Sequence, residues 1–208
     1  MHRFYLVCCF IGCICLCPST IMAQALDASG ILERMAEAFQ KAGGIEADFS
    51  VRTSEGTSTG HISLLGEKFV LKSEGVITWF DGHTQWTYLL ANEEVNISEP
   101  TPEELQSINP YALLSLYKHG YTPKLRTSSK PSQYEVALLA DDVHQDLLCI
   151  ILYINKVSFI PQCISMAQRG GETAVVTIQH FRTGQQFQPF FFTFDAQAFP
   201  DAEIIDLR

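Results

Sequence analysis

Basic charge is scarce in this chain: 14 Lys and Arg stand against 23 Asp and Glu, a formal charge of −9. A surface of that sign is repelled by phosphate backbones and gathers no anionic lipid headgroups, which excludes nucleic acid as a partner. Long apolar runs are also few. The one extended run, Phe4 to Cys17, is shorter than the ~20 residues a bilayer-spanning helix needs, so the chain is not expected to span a membrane. Outside the N-terminal segment only Cys149 and Cys163 remain of the seven cysteines. They permit one disulfide and make no metal site by themselves. No HExxH, CxxC, GxSxG, P-loop or GxGxxG pattern follows residue 25. Without those constellations nothing marks a catalytic centre, a metal site or a cofactor, and the expectation is a protein that is not an enzyme.

The N-terminus reads as a secretory signal. His2 and Arg3 form a basic start, the apolar run follows, and Ala23-Gln24-Ala25 gives an A-x-A cleavage pattern. Cleavage after Ala23 or Ala25 divides the chain into a signal peptide at 1–23 and one domain at 24–208. A lipoprotein signal built on Phe10-Ile11-Gly12-Cys13 is a third reading beside the cleaved signal and the membrane anchor. Five cysteines, Cys8, Cys9, Cys13, Cys15 and Cys17, leave with the signal. Losing Arg3 brings the remainder to 13 basic and 23 acidic residues, over about 185 positions. That length supports one sizeable core.

The periodicity predicts one helix, Ile31 to Lys41, with Ile31, Met35, Ala38 and Phe39 on one face, Asp27 or Ser29 as cap and Gly43-Gly44 as stop. The period then switches to two. Ile45, Ala47, Phe49 and Val51 alternate with Glu46, Asp48, Ser50 and Arg52, a half-buried strand. Strands at His61–Leu65 and Lys68–Ser73 follow. ITWFDGHTQWTYLL is a hairpin, with Asp81-Gly82 as a two-residue turn that sets Ile77 opposite Trp86 and Trp79 opposite Thr84. Ile77, Trp79, Trp86, Tyr88 and Leu90 then share one face. Thr101 or Pro102 with Glu103-Glu104 starts a helical insertion; Asn109-Pro110 breaks it, and its second piece carries Leu113, Leu114, Leu116 and Tyr117 with few charges. From Ser132 on, only strands are expected, PFFFTFD among them. The plan is mainly β (α+β): a strongly curved antiparallel sheet, or incomplete barrel, with an α-helical lid over a hydrophobic cavity.

Cys149 and Cys163 are equidistant from Lys156. A turn at 155–157 sets them opposite each other, close enough for a cross-strand disulfide; a turn shifted by one residue leaves two free thiols. Asp141-Asp142-Val143-His144-Gln145-Asp146 is the densest polar cluster, read as a charged hairpin tip before a cation site. What the chain has in excess is apolar surface. Phe49, Ile62, Leu64, Phe69, Leu71, Ile77, Trp79, Trp86, Tyr88, Leu113, Leu114 and Tyr117 are the expected cavity wall, with Ile151 and Phe192 as further inward candidates.

The order of these features resembles a known family. A signal segment, an amphipathic helix, the strand IEADFSVRT, TGHISL, the WFDGHTQWTY hairpin, the insertion NPYALLSLY and the ending FFFTFDAQAFPDAEIIDLR are together similar to the LolA family of periplasmic lipoprotein carriers, and within it to a divergent Bacteroidetes branch. The resemblance covers nearly all of the chain after the signal. It implies an incomplete barrel with a helical lid, located in the periplasm of a Gram-negative bacterium. The implied partners are lipidated proteins, whose acyl chains the cavity holds, an inner-membrane ABC lipoprotein transporter that delivers them and an outer-membrane receptor that accepts them. No cofactor is implied. One departure stands out. The basic residue and proline that help close the lid in the family are replaced by Leu65-Gly66-Glu67-Lys68, so that gating is not carried over. The alternative is a periplasmic lipid-sensing or regulatory module of the same fold that does not shuttle cargo. A lipid hydrolase is the third reading, and it lacks a convergent nucleophile and base.

Overall fold

The computed structural model describes residues 26–101, 104–105 and 118–208. One helix, α1 (Ala28–Ala42), precedes twelve strands: β1 (Gly44–Arg52), β2 (Thr57–Leu65), β3 (Lys68–Ser73), β4 (Val76–Phe80), β5 (Gln85–Leu89), β6 (Glu94–Ser98), β7 (Tyr121–Arg126), β8 (Gln133–Ala140), β9 (Leu147–Asn155), β10 (Pro161–Gln168), β11 (Thr173–Gln185) and β12 (Glu203–Asp206). They form one curved open sheet in the order β12-β6-β5-β4-β3-β2-β1-β11-β10-β9-β8-β7. The sheet does not close into a barrel.

The expected helix is present and its ends have local causes. The Asp27 carboxylate accepts from the Gly30 N–H at 2.8 Å, a cap that satisfies one orphan donor of the first turn. Gly43 stops the helix at φ 67°, the left-handed geometry that glycine adopts without a Cβ penalty. Ile31, Leu32, Met35 and Phe39 are buried against one face of the sheet.

The pairing registers correct two expectations. In the β4–β5 hairpin Trp79 faces Trp86 and Ile77 faces Tyr88, two residues away from the expected pairing. Asp81 lengthens the turn to four residues: its carboxylate accepts from His83 N at 2.9 Å and Thr84 N at 2.8 Å, and its own N–H donates to the Thr84 carbonyl. A slip of two preserves the side-chain alternation, so the four residues still share a face. In the β9–β10 hairpin Asn155 builds a longer turn, accepting from Val157 N and Ser158 N. Cys163 therefore faces Tyr153 and Cys149 faces Ala167. The cysteines are free thiols, the second of the two readings left open for them.

Two further expectations give way at the C-terminus. Pro189 to Asp195 runs as turns rather than as a strand, because consecutive phenylalanines there cover a sheet instead of extending one. The sheet is also not wholly antiparallel: β12 joins β6 in parallel, with Ile204 beside Val95.

Candidate functional site

Alternation along the strands gives the sheet two apolar faces with different covers. Phe49, Ile62, Leu64, Phe69 and Leu71 belong to the face that carries α1, in a core with Ile45, Phe80, Val136, Leu138, Ile150 and Leu152. Phe69 is fully buried and its ring lies 5.4 Å from that of Phe80, its cross-strand partner. Phe49 and Leu71 are only half-buried on this face. Gly60 sits opposite Phe49. A Cβ at Gly60 would collide with the Phe49 ring and the Lys72 carbonyl, so the glycine leaves the ring its seat across the sheet.

Ile77, Trp79, Trp86 and Tyr88 lie on the opposite face. Trp79 pairs with Val70, the residue between Phe69 and Leu71, and successive strand residues point to opposite sides. The expected single wall is thus divided. The C-terminal segment covers the aromatic part: Phe187, Phe191, Phe192, Phe194 and Phe199 pack with Val70, Trp79 and their neighbours in a second core. Trp79 meets Phe194 and Phe199 edge-on at 5.6 and 5.7 Å, and the Phe199 ring lies 4.7 Å from Tyr88. Phe192, expected inward, belongs to this second core. Ile151 is half-buried and pairs with Ala137 and Ser165, out of phase with the buried Ile150 and Leu152. Six phenylalanines between residues 187 and 199 were the signal for this second cover.

Leu113, Leu114 and Tyr117 lie outside the described residues. The beginning of their segment is visible. Thr101 and Glu104 form a reciprocal capping box: Thr101 N donates to Glu104 Oε2 at 2.8 Å and Glu104 N donates to Thr101 Oγ1 at 3.3 Å. Leu105 packs against the α1-bearing core. The insertion therefore starts as a helix over the same face as Phe49 and Leu71. Near it, that face turns polar, with Gln85 and Thr87 paired to Ser98 and Asn96. The Gln85 side-chain oxygen is buried and has no hydrogen-bond partner among the described residues.

Polar side chains gather elsewhere for structural reasons. In the β11 strand His180 and Phe181 stand opposite Ala47 where the register shifts, a bulge with His180 at φ 47°. The bulge turns Phe181 onto Phe39 of α1, at 5.8 Å, and His180 outward onto Asp48. Asp48 Oδ1 bonds His61 Nδ1 at 2.7 Å and Oδ2 bonds His180 Nδ1 at 2.8 Å. The bonds to His61 and then His180 hold the Asp48 carboxyl below its ordinary value. The 141–146 cluster is an exposed turn: Asp142 accepts from His144 N, and Asp146 pairs with Arg169 at 2.8 Å. Among the described residues no three His, Cys, Asp or Glu converge to hold a metal ion. Leu65-Gly66-Glu67-Lys68 forms the β2–β3 turn, where Leu65 faces Lys68 and Gly66 has φ 59°. A groove of about 430 Å³ opens beside Ile160, Pro161, Ile178 and Phe181.

Among the described residues no helix is long and apolar enough to cross a membrane. No curated protein sequence matches the chain. Among solved structures it is similar to an uncharacterized conserved protein from Thermus thermophilus, at 15% identity and TM-score 0.62, covering 86% of this chain and 98% of that one. It is also similar to a LolA superfamily protein from Nitrosomonas europaea, at 14% identity and TM-score 0.43, over 82% and 99% of the two chains. A chain of the Pseudomonas aeruginosa MucA/MucB complex aligns at 16% identity and TM-score 0.45, over 82% of this chain and 62% of that one. The family model described as outer membrane lipoprotein carrier protein LolA matches residues 18–172, most of the chain, and the protein belongs to that family.

Proposed function

We propose that the protein is a periplasmic carrier that binds the acyl chains of lipoproteins and passes them from an inner-membrane transporter toward the outer membrane. Its role is binding and release rather than catalysis. The observation that carries this reading, together with family membership, is the α1-bearing face. There Phe49, Leu71, Val176 and Ile178 are half-buried at the margin of the core against which Leu105, at the start of the insertion, also packs. Acyl chains would lie on this margin, and Leu113, Leu114 and Tyr117, the apolar residues of the insertion, are the further contacts proposed for them. The aromatic set of Ile77, Trp79, Trp86 and Tyr88 is assigned a structural role, because the C-terminal phenylalanines already occupy it.

The energetics fit a shuttle. Each acyl CH₂ buried is worth ~0.8 kcal/mol, so a ~16-carbon chain exposed to water costs on the order of 10 kcal/mol. Aliphatic walls offset that cost without directional bonds that would hinder release. The test is uptake of a fluorescent palmitoyl probe. Leu71→Glu and Leu114→Glu are expected to abolish it while circular dichroism stays native. Uptake unchanged in both variants would overturn the assignment. Mass spectrometry of protein purified from its native periplasm identifies the cargo.

A further inference from the structure

Strand β11 is thirteen residues long, yet its two sides are paired unequally. Along one side it pairs with β1 from Val175 to Gln185. Along the other it pairs with β10 only from Thr173 to Thr177. Beyond Cys163 the two strands part. Pro161 and Gln162 continue β10 along β9, while Ile178 to Thr183 follow β1. The space between them is the 430 Å³ groove, walled by Ser158, Ile160, Pro161 and Gln162 on one side and Ile178, Gln179, His180, Phe181 and Thr183 on the other. Arg182, between Phe181 and Thr183 in sequence, is not part of the wall and pairs with Glu46 of β1.

Three features keep this gap open. Pro161, the first residue of β10, has no N–H to donate across it. The bulge at His180 bends β11 away at the point where β10 ends. Asp48 then fixes the bend by holding His180 from the neighbouring strand. The left-handed region is strained for a non-glycine residue, so the conformation stands because its surroundings hold it. The far end is marked by Gln185 Nε2, which donates to the Thr183 carbonyl.

An interior edge of this kind leaves a row of main-chain donors and acceptors with no strand partner among the described residues. Their complement is another extended backbone, not a rigid small molecule. The lining contains no Asp, Glu, Lys or Arg, and His180 is its one titratable side chain. Ile160, Ile178 and Phe181 also touch the α1-bearing core. We propose that the slot between β10 and β11 binds an uncharged, extended peptide segment of a partner protein, which adds as a strand to β11 between Ile178 and Thr183. The inference does not depend on acyl-chain binding.

The test begins with selection of binders from a displayed library of random linear octapeptides. Amide hydrogen exchange is then followed on the full chain after signal removal. In the free protein, amides within 178–183 that do not point to β1 exchange faster than those of 173–177. Selected uncharged peptides slow them by at least about tenfold, and N-methylation of alternate peptide residues lowers affinity by a similar factor. Gln179→Trp and Thr183→Trp, at exposed positions on the slot wall, reduce binding at unchanged melting temperature. The inference is overturned if no peptide protects 178–183 or if N-methylated peptides bind equally well. It is equally overturned if the same amides are protected by self-association or by the chain's own N-terminal segment.

Discussion

The two faces of the β1–β5 half of the sheet solve one burial problem in opposite ways. One face is covered by α1, adjacent in sequence to β1, and its margin at Phe49 and Leu71 stays half-open. The other is covered by Phe187 to Phe199, about a hundred residues after the tryptophans, and its centre at Trp79 is closed by interlocked rings, while Ile77, Trp86 and Tyr88 around it are half-buried. The first cover is a single helix with aliphatic neighbours; the second is a segment of the chain's own aromatic rings, which staples the sheet that bears it. The contrast is the ground for the structural role proposed above for the aromatic hairpin.

The largest effect that tests this contrast is expected from deleting residues 187–208. Loss of the phenylalanine cover and of β12 exposes Trp79 and Trp86, and the truncated chain should lose cooperative unfolding with a red-shifted tryptophan emission. A native melt from this truncation would break the comparison. Phe69→Ala, at a fully buried ring, should cost about 3–5 kcal/mol by urea titration, and Trp79→Ala a comparable amount, since both faces are true cores. Gly60→Ala should cost about 1–3 kcal/mol by forcing the Phe49 ring off its seat, and it should weaken palmitoyl-probe binding more than Trp79→Ala does per unit of stability lost.

The smallest effects lie at charged groups and thiols. Arg208 bonds the Asp206 carboxylate and holds its pKa down at about 2, against an ordinary 3.8. A depressed folded-state pKa contributes stability that is complete above the unfolded value and is lost as pH falls through the folded one. Asp206→Asn should therefore flatten the acid limb of the stability curve between about pH 4 and 2, with little change at neutrality. Mass should be unchanged by reduction, and Cys149→Ser with Cys163→Ser should leave the melting temperature within about 1 °C, because the thiols face Ala167 and Tyr153 rather than each other.

Much of the architecture was legible because its signals are local. The α1 stripe, the Asp27 cap and the Gly43 stop are short-range patterns. So is the alternation of Ile45 to Arg52. The Thr101–Glu104 capping box likewise marks a helix start from four residues. Turn lengths were less legible. Asp81 and Asn155 each recruit main-chain N–H groups with their side chains, which shifts the register by amounts that a turn dipeptide does not encode. The His180 bulge had no local signal, because its cause is Asp48 on another strand.

By itself the sequence determined which residues needed burial, the period on which each segment presents them, and the helix and strand ends set by Asp, Gly and Pro. Which cover each face received was decided only by tertiary structure. A pleated strand announces that it has two faces but not what will lie on them, and a phenylalanine-rich segment is compatible with any apolar surface the chain can reach. Only the parallel docking of β12 on β6 brings that segment across Trp79 and leaves the opposite face to α1.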